Sequence, residues 1–159
     1  MYKQQLYTQM NIEDIIKTNA SLPLSKKAVI NLFYTNSIIN DQIHAVLKPF
    51  DISIQQFNVL RILKGQKGKP SNLSTIQERM VSKMSNTTRL VDKLISKGYV
   101  NRTICPSNRR KVEITITPLG IGFLDQTSIA VEGLEQKITS NLTEQELITF
   151  NTLLNKLRS

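Results

Sequence analysis

The chain has 159 residues, 40% of them apolar, and a net charge of +9. That is enough chain and apolar content for one cored domain with helical extensions, and no segment has the composition of a disordered tail. No apolar run reaches the roughly 18 residues of a membrane span, the first residues lack a signal-peptide pattern, and one cysteine with one histidine supports neither a disulfide framework nor a zinc site.

Along the chain, Asn11 with Asp14 three residues later opens a short helix over 12–18. Ser25 is placed to cap a long helix ending near Lys48, before Pro49, with Ala28, Leu32, Ile39, Ile43, Val46 and Leu47 at helical spacing. Ile30, Phe33 and Ile38 give that helix a second apolar face. Ser53 and Gln56 form a capping box for "IQQFNVLRILKG", which Gly65 closes. A basic loop, "QKGKPSN", leads to a short helix, "LSTIQERM", with Leu73, Ile76 and Met80 on one side. "SKMSNTTRLVDKLISKG" reads as a further helix, with Ser82 as cap and Gly98 as stop. "YVNRTI" and "KVEITIT" alternate as half-buried strands around a Pro-Ser-Asn turn. Thr117 then caps a helix with Pro118 at its first position, running to about Thr139. Thr143 and Glu146 make a second capping box for a last helix bearing Leu147, Phe150, Leu154 and Leu157.

This order predicts a mainly α (α+β) protein, a single domain over 1–159. A winged helix-turn-helix lobe occupies 53–117, and the helices of 11–48 and 118–157 form a helical dimerisation region. Those flanking helices are apolar on more faces than one lobe covers, and a second copy of the chain is their simplest partner.

Charge points to function. Between Lys64 and Lys111 there are twelve basic residues against only Glu78 and Asp92, so the rest of the chain is close to neutral. A basic module of this kind binds polyanions, nucleic acid before anionic membrane. At 100° per residue, the helix over 82–97 gathers Met84, Leu90, Val91, Leu94 and Ile95 on one arc. Ser85, Asn86, Arg89, Lys93 and Ser96 gather on the other. Short polar side chains let a helix enter the major groove and basic ones meet phosphates; Asn86 suits adenine, and Arg89 suits guanine or a phosphate. An ordinary solvated face would instead mix Glu with Lys at i, i+4.

"TTRLVDKLISKGYVNR", the hairpin "CPSNRRKVEITIT" and "TPLG" together resemble the MarR family of bacterial transcription regulators. The family's usual pattern is T-R-L-V-x-x-L, then G-h-h-x-R (h, hydrophobic), a wing with D-x-R, and L-T-x-x-G. The resemblance covers about 53–120 and implies a homodimer on a palindromic double-stranded DNA operator, and the single cysteine, Cys105, fits a reducing cytoplasm. Most often such a protein is a repressor, relieved in many members by a small aromatic or anionic effector. Arg110 matches the arginine of D-x-R, whereas Asn108 replaces its aspartate. Arg109, Arg110 and Lys111 are then wing contacts to DNA, which explains three adjacent cations at a turn.

Some residues carry two readings. Phe33, Tyr34 and Met80 are either core side chains or the lining of an effector crevice. His44 is either a packed or solvent-edge histidine or a pH switch, and Cys105 either a structural thiol or one activated by nearby arginines. No nucleophile, base and orienting group assemble, and Gly65 and Gly68 lack phosphate-loop spacing, so neither an enzyme nor a bound cofactor is expected. The rival to DNA binding is a winged-helix module for an acidic protein partner.

Overall fold

The computed structural model describes residues 11–105 and 108–159, and the side chains of these apart from 105 and 108–111. It divides into two compact units, one ending at Asp41 and the other spanning Gln42–Ser159. Among the described residues no helix is long and apolar enough to cross a membrane.

The first unit holds α1 (Ile12–Ile15) and most of α2 (Leu24–Leu47). Helix α1 is a single turn, shorter than the 12–18 expected, because Asn11 makes no side-chain cap bond and Lys17 turns left-handed at φ 53°. Lys27 pairs with Glu13 at 3.0 Å. Helix α2 starts at Leu24, so Ser25 lies inside its first turn rather than capping it. Val29, Leu32, Phe33, Tyr34 and Ile38 are all exposed, Phe33 at 71%.

In the second unit, α2 tightens into a 3-10 turn over Lys48–Phe50, where Pro49 cannot continue an α-helix, and Asp51 reverses the chain at φ 50°. Helix α3 (Ile54–Gly65) opens with the expected capping box: Ser53 Oγ accepts from Gln56 N–H at 3.1 Å and Gln56 Oε1 from Ser53 N–H at 3.0 Å. Gly65 is its last helical residue, and the left-handed reversal falls later, at Lys67 and Gly68. Helix α4 (Leu73–Arg79) is capped by Asn72, and α5 (Thr87–Ser96) follows after a short connection.

Strands β1 (Val100–Cys105) and β2 (Asn108–Ile116) pair antiparallel, with Val100 opposite Ile116 and Ile104 opposite Val112. Ser71 adds a third strand residue beside Ile114, with exchanged backbone bonds of 2.9 and 2.7 Å. Helix α6 (Pro118–Thr139) and α7 (Glu144–Leu157) end the chain, each with the cap expected from Thr117 and Thr143.

The core gathers Leu60 and Leu63 of α3, Ile76 of α4, Val91 and Leu94 of α5, Val100 and Ile114 of the strands, and Leu124 of α6. Each is at most 3% exposed, and burying such a side chain contributes about 1.5–3 kcal/mol. One junction ties the helices to the wing. Helix α5 ends in a Schellman turn, with Gly98 N–H on Ile95 O at 2.9 Å and Tyr99 N–H on Leu94 O at 3.0 Å, which needs the left-handed Gly98 (φ 74°). Thr117 Oγ1 donates to Gly98 O at 2.8 Å while accepting from Gly120 N–H at 2.9 Å. The end of α5 and the start of α6 thus share one side chain.

Candidate nucleic-acid interface

The connection from α4 to α5 decides what α5 presents. Met80 leaves helical geometry at ψ 136° with its side chain 1% exposed, so the core holds this point fixed. Gln77 then staples the connection: its Nε2 donates to Lys83 O at 2.6 Å and its Oε1 accepts from Thr87 Oγ1. Thr87 is buried, so α5 is anchored at its first residue. Nothing in the sequence marks Gln77, because its partners lie six and ten positions away.

Helix α5 accordingly starts at Thr87 rather than near Ser82, and its N-cap is Asn86, whose Oδ1 accepts from Arg89 N–H at 3.1 Å. This corrects two expectations. Met84 precedes the helix and is 95% exposed, so it does not belong to the core-facing arc. Asn86 is a capping residue first; one lone pair of its carbonyl is already used, which leaves the amide N–H group and the second lone pair for any other partner.

The core arc of α5 holds otherwise, with Val91 and Leu94 buried and Leu90 and Ile95 packed against them. On the opposite side, Ser85, Asn86, Arg89 and Lys93 come together along one open concavity, which Gln55 of α3 also lines. Arg89 and Lys93 are exposed and form no ion pair among the described residues.

Other cations of the basic segment are engaged. Arg102 of β1 meets Asp92 of α5 at 2.8 Å, and Lys97 meets Asp51 at 2.5 Å. The hydrogen bond from Lys97, then its charge and that of Lys93, holds the Asp51 carboxyl below its usual range. Lys64 pairs with Asp125 of α6. These acids are therefore paired with cations around the edge of the lobe, while Arg89 and Lys93 form no ion pair among the described residues.

Beyond α5, the backbone of β2 begins at Asn108, but the side chains of Cys105, Asn108, Arg109, Arg110 and Lys111 lie outside the described ones. Of the residues with an effector-crevice reading, Met80 is packed in the core of the second unit, so its thioether is not open to a ligand. Phe33 and Tyr34 are exposed on α2. His44 is exposed. No cluster of three or more metal-ligating side chains occurs among the described residues.

Helix, turn, helix and paired strands in this register form a winged helix-turn-helix. The sequence profile of the MarR family matches residues 52–112. The multiple antibiotic resistance protein MarR of Escherichia coli (strain K12) is 31% identical over 114 residues, covering 70% of this chain and 76% of that protein. The chain belongs to the MarR family. MarR-family proteins are DNA-binding transcription regulators rather than enzymes. The crystal structure of wild-type Escherichia coli MarR in its apo form superposes with a TM-score of 0.66 at 27% identity, over 87% of this chain and 98% of that one. Bordetella bronchiseptica BpsR shares the MarR fold at a TM-score of 0.76 and 18% identity, over 88% of this chain and 99% of that one.

Proposed function

We propose that this MarR-family regulator is a cytoplasmic repressor that binds a palindromic operator as a homodimer. In this reading α5 enters the major groove of each half-site and the wing tip lies on the neighbouring backbone or minor groove. The carrying observation is the outward face of α5, where Arg89 and Lys93 stand exposed and, among the described residues, unpaired beside Ser85 and Asn86. Residues 53–117 act as the DNA-binding lobe, and the helices of 11–48 and 118–157 join the two copies. Retrieval of genomic fragments by the purified chain, followed by sequencing, tests this. Enrichment of one inverted repeat with half-site centres about 10 bp apart is expected. Uniform retrieval of all fragments would contradict it.

The dimer reading draws on apolar side chains that each unit leaves in water: Leu24 and Phe33 on α2, and Phe150, Leu153 and Leu157 on α7. Deleting residues 143–159 is expected to abolish folding rather than release a stable monomer. Circular dichroism with sedimentation checks this, and a soluble, DNA-competent monomer would contradict it.

The wing reading rests on sequence position. Arg110→Ala is expected to weaken operator binding and to make its salt dependence shallower, by about 0.9 in log–log slope for each phosphate no longer neutralised. Binding measured across a salt series gives that slope directly. Relief by a small aromatic acid is the regulatory input we propose. It follows the fold shared with BpsR, whose DNA binding is regulated by 6-hydroxynicotinic acid.

A further inference from the structure

We infer that Met84 reads a base: its side chain meets the C5-methyl group of a thymine in the major groove and gives each half-site a thymine preference at one position. This rests on the proposed entry of α5 into that groove. Met84 is 95% exposed, so its whole side chain is open to a partner. The core beneath is complete without it, since Ile76, Met80, Val91 and Leu94 are at most 1% exposed. Its position is equally specific. Met84 lines the same concavity as Asn86, Arg89 and Lys93, and Lys83 precedes it in the chain. Val81 is also exposed but lies in a separate depression beside Asn58 and Arg79.

An apolar side chain in one concavity with Arg89 and Lys93 is poorly matched to an apolar protein surface, which would have to bury those charges. A duplex satisfies both: phosphates answer Arg89 and Lys93, and the thymine methyl is the one apolar group on the base edges of the major groove. Methionine suits the contact, being unbranched and polarizable, and its sulfur is too weak an acceptor to read the other bases by hydrogen bonding.

The test uses the full chain and the tightest duplex it selects from a random-sequence library. Each thymine of both half-sites is exchanged, one symmetric pair at a time, for deoxyuridine, which lacks only the methyl group. The parent is expected to lose about fourfold per half-site at one position, the worth of one buried methyl group. Met84→Ala should bind the unmodified duplex more weakly by a similar factor and be indifferent to that methyl. Met84→Leu should keep most of the sensitivity, and Arg89→Ala should bind both duplexes more weakly with the methyl effect intact. Parental melting temperatures are expected for both Met84 variants, because the side chain is exposed. A parent indifferent to every thymine methyl, or a Met84→Ala variant that keeps the sensitivity, overturns the inference and leaves the DNA-binding reading standing. A chain that selects no duplex overturns both.

Discussion

Replacing Gly120 by alanine is expected to destabilise the protein by about 2 kcal/mol, although alanine is the better helix former. A Cβ there would lie 2.2 Å from the carbonyl oxygen of Tyr99 and 3.0 Å from Ile116 Cγ1. The first neighbour is backbone, held by the Schellman turn and by Thr117, so it cannot swing aside as a side chain would. Overpacking of this kind costs about 1–3 kcal/mol or more, and the helix-propensity gain of about 1 kcal/mol offsets only part of it. Gly122, two positions on, has nothing within 4 Å of a built Cβ. Gly122→Ala should therefore change stability in the opposite direction, by about 0.5–1 kcal/mol. Urea denaturation of the two variants at equal protein concentration compares them. Equal effects would mean that the contact with Tyr99 is not what keeps Gly120 a glycine.

Arg89→Ala is expected to reduce operator affinity by about 1–3 kcal/mol per half-site, and so by about twice that for a symmetric dimer, with an unchanged melting temperature. The reason is a separation of roles within one residue. The backbone N–H of Arg89 receives the Asn86 cap and survives the substitution, while the guanidinium has no ion-pair partner among the described residues to be left behind. Asn86→Ala is different, because it removes the cap as well, at about 0.5–2 kcal/mol of stability. Asn86→Ser keeps a capping oxygen and isolates any base contact made by the amide. Melting curves paired with competition binding separate the two contributions. Parental affinity in Arg89→Ala would mean that another face of α5 meets the DNA.

These pairings also explain how far the sequence could be read. Both capping boxes, the Thr117–Pro118 start and the Gly98 stop were legible because each joins groups within a few residues of one another. The beginning of α5 was not. Ser82 and Asn86 are both competent caps, and the choice rests on Gln77 holding Thr87 across the turn, a contact between residues ten positions apart. Placing the start too early put Met84 on the core side, where a helix would have carried it. The excess of positive charge was plain, but which cations stay unpaired depends on Arg102 meeting Asp92 and on Lys97 meeting Asp51, 46 positions away. Met80 and Phe33 each suited a crevice by residue type; the packing of the core took Met80, while Phe33 stayed exposed on α2.

The bridge between Ser71 and Ile114 has a mechanical consequence. It clamps β2 on the side away from β1, so at Ile114 the strand is fixed by neighbours on both edges. From that clamp the strand runs on to Asn108, about 20 Å at about 3.3 Å per residue. Past the clamp β2 keeps β1 as its neighbour and projects as an arm anchored at Ile114. In the proposed complex that arm would be comparable with half a turn of duplex, about 17 Å. Shortening the arm by one residue on each strand would draw the tip back about 3 Å. In the proposed DNA complex the segment 109–111 would then reach less far along the duplex, with the root and the lobe unchanged.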